Sequence, residues 1–136
     1  MTTDLTLGET NLDALLKTMS PTLAEQDYVF CSIPGAQYGD YVELTPIAMM
    51  QEVEGLTLVI ERSDADAHEI AYQAVFKCIT LKVHSSLEAV GLTAAFSSKL
   101  AEHGISANVV AGYFHDHIFV QSALVDKAMR ALGEFN

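Results

Sequence analysis

Two short polar stretches in the second half of the chain hold the residue types best suited to binding a small molecule. The first is the loop HSSLEAVG at 84–91, which contains Ser85 and Ser86, and the second is His115-Asp116-His117. Serine hydroxyls beside the free N–H groups that open a helix suit a carboxylate or another small anion. An ammonium group needs acceptors instead, which Asp116, the Glu88 side chain or exposed loop carbonyls would supply. Together the two stretches have the complementary halves that an α-amino acid requires.

The elements around these stretches bring them to the same end of a sheet. From residue 75 onward, β-branched and aromatic runs alternate with apolar stripes at helical spacing. One such stripe, at Leu92, Phe96 and Leu100, predicts a helix that Gly104 ends. The run Phe114-His115-Asp116-His117 is the hairpin turn between the last two strands. Because a helix returns the chain after the first strand, the loop before that helix and the hairpin turn share one end. The predicted order is β, α, β, β, α, with strands at Val75–Val83, Ile105–Tyr113 and Ile118–Val120 and helices at Leu92–His103 and Ala123–Leu132.

The first half reads as a shortened copy of this unit. A short helix is predicted from Asn11 and a strand at Tyr28–Ile33. YVFCSI at 28–33 parallels VFKCIT at 75–80, and LVIERS at 58–63 parallels IFVQSA at 118–123. The irregular stretch Pro34–Thr45 stands where the second half has a helix or hairpin. We therefore predict an α+β protein of two domains, a shortened unit at 1–70 and a βαββα unit at 71–136, each an antiparallel sheet with helices packed on one face.

Composition narrows the classes of function. The net charge is −11, and residues 1–70 carry all of it, because 13 acids there face only Lys17 and Arg62. Such an excess disfavours nucleic acid as a partner and is explained by solubility or by attraction of cations. The first residues form neither a signal peptide nor a membrane span, so a cytoplasmic location without a membrane partner is expected. The two cysteines, Cys31 and Cys78, are expected to be buried thiols.

The run HSSLEAVGLTAAFSSKLAEHGISANVVAGYFHDHIFV resembles the strand end, loop, helix, second strand and hairpin of an ACT domain. In the first half the resemblance rests on YVFCSIP and EGLTLVIERSDADAH. It implies ferredoxin-like units that pair side by side and bind small ligands, usually amino acids, between units. It also implies that Asn108 is a polar ligand contact, although Asn108 lies four residues after Gly104 where many ACT domains have two. The other ligand contacts that the resemblance implies are Ser85, Ser86, Val90, Gly91 and Leu92.

Other interpretations of the same residues are open. His115 and His117, with Asp116 or His84, have side chains that bind zinc. Ser85 or Ser86 with a histidine base would make an enzyme, but the chain has no Gly-x-Ser-x-Gly elbow, phosphate loop or dinucleotide fingerprint. Exposed sheet edges would serve a module that regulates a separate enzyme or transporter.

The interpretation we favour is a homodimeric regulatory protein that binds a small molecule, most simply an amino acid. It has no catalytic residues, metal or cofactor of its own. The predicted ligand-binding residues are Ser85, Ser86, Val90, Gly91, Leu92, Asn108, His115, Asp116 and His117.

Overall fold

The computed structural model describes residues 16–17, 19–82 and 91–135. Residues 25–77 form one compact unit, and the rest of the described chain, before 25 and after 77, forms the other. Two short 3-10 helices lie at Val42–Leu44 and Ser122–Leu124. The strands are β1 (Pro21–Ile33), β2 (Ala48–Gln51), β3 (Leu56–Glu61), β4 (Phe76–Leu81), β5 (Asn108–Ala111) and β6 (Asp116–Gln121), and the helices are α1 (Arg62–Ala67), α2 (Leu92–Glu102) and α3 (Val125–Gly133).

In the unit at 25–77 the strands are ordered β2-β3-β1, and both neighbouring pairs are antiparallel. Alternate residues of β1 and β3 are buried on one face together with Ala65 of α1. Ile33 is paired with Leu56, so the end of β1 lies against the start of β3. Gly55 is needed at that point, because a Cβ atom there would lie 2.7 Å from the Ile33 carbonyl oxygen.

In the other unit the strands are ordered β4-β6-β5, and α2 and α3 pack on one face of them. Phe96 and Leu100 of α2 and Leu132 of α3 are fully buried against Ile118 and Val120 of β6. The apolar faces that predicted these two helices are therefore packed against the sheet. The predicted fold class, α+β with ferredoxin-like units, is confirmed.

Gly104 ends α2, as the sequence predicted. Its φ of 73° is left-handed, and its N–H donates to the Ala101 carbonyl while the N–H of Ile105 donates to that of Leu100. This pair of hydrogen bonds is the Schellman motif, which satisfies carbonyls at a helix end. Ile105 is consequently part of the helix ending, which explains why β5 begins at Asn108 and not at the predicted Ile105.

Three further strand predictions were incomplete. β1 begins at Pro21 and not at Tyr28, and β2 was not predicted, because its residues AMMQ lack β-branched side chains and depend on pairing with β3. The hairpin turn lies at 112–115 and not at 114–117, so β6 is two residues longer at its start than predicted. The helix predicted from Asn11 and the end of the strand predicted to Val83 lie outside the described residues.

Replacing Gly104 by Ala should lower the free energy of unfolding by about 1 to 2 kcal/mol, because a Cβ atom is strained at positive φ. Gly133 offers a matched control, since it lies within α3 with open space around the position of a Cβ atom. Gly133→Ala should leave stability unchanged or raise it by up to about 1 kcal/mol. Urea denaturation measures both, and a Gly104→Ala variant as stable as the wild type would contradict this account of the helix ending.

Candidate functional site

The hairpin between β5 and β6 places the first polar residues of β6 at one end of the sheet. The Gly112 N–H donates to the His115 carbonyl oxygen at 2.9 Å, which leaves Tyr113 and Phe114 as a two-residue tip. Asp116 is then paired with Ala111 across the strands. His117 follows it in β6, so both residues lie in the strand and not in the hairpin turn that the sequence predicted for them.

The strand that precedes the predicted serine loop, β4, is adjacent to β6 in the sheet. The Thr80 hydroxyl lies 2.9 Å from His117 Nδ1, which sets the end of β4 beside the start of β6. β4 ends at Leu81. Ser85, Ser86 and Val90 themselves lie outside the described residues.

Strand alternation divides the predicted site residues between the two faces of the sheet. Ile118 and Val120 belong to the core beneath α2 and α3, so Asp116, two residues earlier, lies on the helix face. His117 alternates to the opposite face, where it meets Thr80. Asn108 is paired with Phe119 and lies on this opposite face too. The structure thus brings Asp116 to the side of the sheet where α2 begins and sets Asn108 and His117 on the other side.

Two predicted residues start α2. Gly91 is the residue before the helix, with a left-handed φ of 92°, and its carbonyl accepts the Ala95 N–H at 2.8 Å. No side chain among the described residues caps this end, so the first N–H groups of α2 have no partner within the helix. Leu92 is 5 % exposed and packs in the core, which leaves only its backbone for a ligand.

Asn108 has a partner of its own. Its side-chain amide donates to the Phe119 carbonyl at 3.2 Å, across the pair that the two residues form. This bond stabilises the hairpin at the end away from its tip. A ligand contact by Asn108 would have to use the remaining amide hydrogen or the side-chain oxygen.

Burial controls the electrostatics of His115-Asp116-His117. Partial burial raises the pKa of the Asp116 carboxyl, and the neighbouring His117 and His115 oppose that rise. Burial, followed by repulsion from His115, lowers the pKa of His117, while Asp116 acts against this. His115 Nδ1 is buried and has no hydrogen-bond partner among the described residues. A partly desolvated carboxylate next to an unsatisfied imidazole nitrogen suits a ligand that donates hydrogen bonds.

The described residues give no support to the rival interpretations that use His115 and His117, and the alternative ligand or base His84 lies outside the part of the chain that the structure describes. In a nucleophilic triad the imidazole is oriented by a carboxylate, whereas His117 Nδ1 meets the Thr80 hydroxyl. Within the described residues, no group of three or more His, Cys, Asp or Glu side chains is arranged to hold a metal ion.

Two open clefts in the unit at 25–77 were not predicted from the sequence. The larger has a volume of about 570 Å³ and lies along the loop after β1, beside Asp40 and Glu43. Tyr41 and Thr45 adopt left-handed φ values of 65° and 46° in that loop, which no residue pattern signals in advance. The smaller cleft, of about 300 Å³, lies beside Arg62.

Comparison with known proteins identifies the class. Two models of the ACT domain match the chain in tandem, at residues 7–77 and 73–134. The first alone spans more than half of the chain, so this protein belongs to the ACT-domain family. The resemblance noted from the sequence is therefore confirmed.

Solved structures agree with this assignment. A Vibrio cholerae protein of unknown function, described as a possible transport protein, shares 59 % identity with a TM-score of 0.83, over 91 % of this chain and 94 % of its own. The ligand-free regulatory subunit of aspartate kinase from Thermus thermophilus matches with a TM-score of 0.65 at 11 % identity, over 89 % of this chain and 98 % of its own. An Agrobacterium tumefaciens protein matches with a TM-score of 0.62 at 18 % identity, over 86 % and 88 %. At these last two identities the likeness concerns the fold.

No curated protein sequence matches the chain. Among the residues that the structure describes, no helix has the length and apolar character needed to cross a membrane.

Replacing Asp116 by Asn should stabilise the protein at neutral pH. The folded-state pKa of Asp116 lies above its unfolded value, so the folded state binds more protons in that interval and stability falls as pH rises through it. Asn carries no charge, so it removes the cost of burying the ionised carboxyl. The difference in stability between the two proteins should disappear at a pH below the pKa of Asp in the unfolded chain. Thermal unfolding of both proteins across pH measures the difference.

Asp126→Asn is the matched control. Asp126 is exposed in the first turn of α3, where a negative charge favours the helix, so this variant should be slightly less stable. An Asp116→Asn protein that is less stable than the wild type at neutral pH would contradict the burial argument.

Proposed function

We propose that this ACT-domain protein binds a small α-amino acid at the hairpin end of its second unit and acts as a regulator without catalysis of its own. The observation that carries the proposal is the carboxylate of Asp116, partly buried on the helix face of the sheet. It lacks a hydrogen-bond partner among the described residues and lies at the end of the sheet where α2 begins. An acceptor on one side and free helix N–H groups on the other match the two charges of an amino acid.

The proposed orientation follows from these charges. The ligand carboxylate is held by the first N–H groups of α2, by the backbone around Val90, Gly91 and Leu92, and by the hydroxyls of Ser85 and Ser86. The ligand ammonium group donates to Asp116. The other predicted residues have supporting roles in this proposal, because their side chains do not lie beside Asp116 on the helix face. His115 and His117 influence the charge state of Asp116, and Asn108 stabilises the hairpin.

The regulatory role takes its support from the family. ACT domains typically bind amino acids in regulatory roles, and the predicted domains at 1–70 and 71–136 would be two such units in one chain. A chain of this kind conveys its ligand state through an oligomer or a separate protein. A cytoplasmic location is the setting that this proposal expects.

The proposed homodimer forms through the edge of β5. At the other edge strand, β2, the outward N–H of Gln51 already donates to the Tyr38 hydroxyl at 3.0 Å. In β5 the bond between Gly112 and His115, with the alternation of an antiparallel pair, turns the N–H groups of Val109 and Ala111 away from β6. Outward N–H groups on an edge strand pair readily with a second copy about a two-fold axis.

A second candidate is a module that binds another protein without a small ligand. Its specific support is the hairpin tip, where Tyr113 and Phe114 are 63 % and 55 % exposed and their rings meet edge to face. Exposed aromatic pairs are common at protein interfaces. The ligand screen below discriminates between the two candidates, because a pure interaction module would respond to no amino acid.

A thermal-shift screen against the amino acids at millimolar concentration tests the binding proposal. A ligand at a hundred times its dissociation constant should stabilise the protein by about 2.7 kcal/mol. For an amino acid without a charged side chain, Asp116→Asn should abolish that response, because it removes the charge that the ammonium group needs, while Asp126→Asn should keep it. Wild-type protein that responds to no amino acid, or an Asp116→Asn variant that responds as the wild type does, would refute the proposal.

Replacing Ala111 by Pro tests the dimer. Proline removes the outward N–H without breaking a bond to β6, and edge strands accept it for that reason. Light scattering after gel filtration should show a dimer for the wild type and a monomer for the variant, with unchanged circular dichroism. Dimeric Ala111→Pro protein, or monomeric wild type, would rule out pairing through β5.

A further inference from the structure

The unit at 25–77 carries a second cleft, lined by polar and charged residues, that the proposed function does not use. Its volume is about 300 Å³, and its walls come from the early part of β1, the end of β3 and α1. None of its residues is among the predicted ligand-binding residues. The lining residues are Gln26, Asp27, Glu61, Arg62, Ser63 and Asp66.

The guanidinium group of Arg62 is positioned by contacts at its Nε atom. Its Nε donates to the Tyr72 hydroxyl at 3.2 Å, and that hydroxyl donates to Asp66 Oδ1 at 2.7 Å. Asp66 also lies 3.7 Å from Nε through its other oxygen. These contacts fix the guanidinium plane through Nε, and its two terminal amino groups have no partner among the described residues. Such a planar fork binds carboxylates with two parallel hydrogen bonds.

The acidic side of the cleft is also positioned. Lys77 Nζ lies 3.0 Å from Asp27 Oδ1 and donates to the Glu25 carbonyl at 2.7 Å, which anchors Asp27 and leaves its second oxygen without a partner among the described residues. The side-chain carboxylate of Glu61, whose backbone is paired with Tyr28, likewise has no hydrogen-bond or ion-pair partner among the described residues. The lining therefore offers carboxylate acceptors for an ammonium group opposite one guanidinium.

We propose that this cleft is a second ligand site, which takes a small molecule with an ammonium group and a carboxylate. Arg62 binds the ligand carboxylate, and Asp27 and Glu61 accept hydrogen bonds from its ammonium group. Three carboxylates line the cleft against one guanidinium, and with Lys77 beside Asp27 the local charge is still negative, so a ligand with net positive charge is favoured and a phosphate is disfavoured. A diamino acid such as L-lysine meets these requirements and is the appropriate probe.

Nuclear magnetic resonance titration of the full chain with L-lysine tests the site. The backbone amide signals of residues 26–27 and 61–66 should shift, which separates this cleft from the hairpin end of the other unit. Arg62→Gln should weaken the binding seen at these signals at least tenfold, the loss expected for a charge-assisted hydrogen-bond pair. Arg130→Gln is the matched control, because it removes the same charge from exposed α3 and should leave the titration unchanged.

A second probe isolates the role of Arg62. 1,5-Diaminopentane, which is lysine without its carboxylate, should bind wild-type protein at least tenfold more weakly than lysine, and the two probes should bind alike to Arg62→Gln. Tyr72→Phe keeps the guanidinium but releases Nε, so it should weaken lysine binding less than Arg62→Gln does. Amide signals at 26–27 and 61–66 that stay unmoved at tens of millimolar lysine, or equal lysine affinity in the wild type and Arg62→Gln, would overturn the proposal.

Discussion

A carboxylate that the fold partly desolvates is the feature on which the account of this protein depends. Asp116 opens β6 on the face that α2 and α3 cover, and burial makes its charged form unfavourable. A chain gains nothing in stability from such a group, since Asn in the same place would avoid the cost. A ligand with an ammonium group would offset that cost. Ligand binding would then account for the partly buried carboxylate, which core packing alone does not explain.

The surrounding structure fixes where this carboxylate lies. The hydrogen bond from Gly112 to His115 closes the hairpin early, and it thereby moves Asp116 from a flexible turn into a paired strand. The contact between Thr80 and His117 secures the neighbouring strand on the opposite face. Core packing of Phe96 beneath the sheet holds α2 in place on the face where Asp116 lies. The position of one polar side chain thus follows from backbone pairing, a buried hydroxyl contact and a hydrophobic core.

Much of the fold could be predicted from the sequence where the pattern is local. The spacing of Leu92, Phe96 and Leu100 identified α2, and Gly104 identified its end, because both signals lie within one element. β2 escaped prediction because its stability comes from β3 and not from its own residues. The division of Asp116 and His117 between two faces required the true start of β6, which depends on one backbone hydrogen bond that Gly112 makes. The cleft at Arg62 joins residues from 26 to 66, and no pattern along the chain connects them.

Direct observation of the Asp116 side-chain carboxyl by carbon-13 nuclear magnetic resonance, across pH and with and without a saturating amino acid, tests the central claim most directly. Without ligand, the pKa of Asp116 should lie above the ordinary value for an aspartic acid. With ligand, that pKa should fall, because a nearby ammonium group favours the ionised form. A carboxyl signal that titrates like an exposed aspartate and ignores every amino acid would contradict the claim.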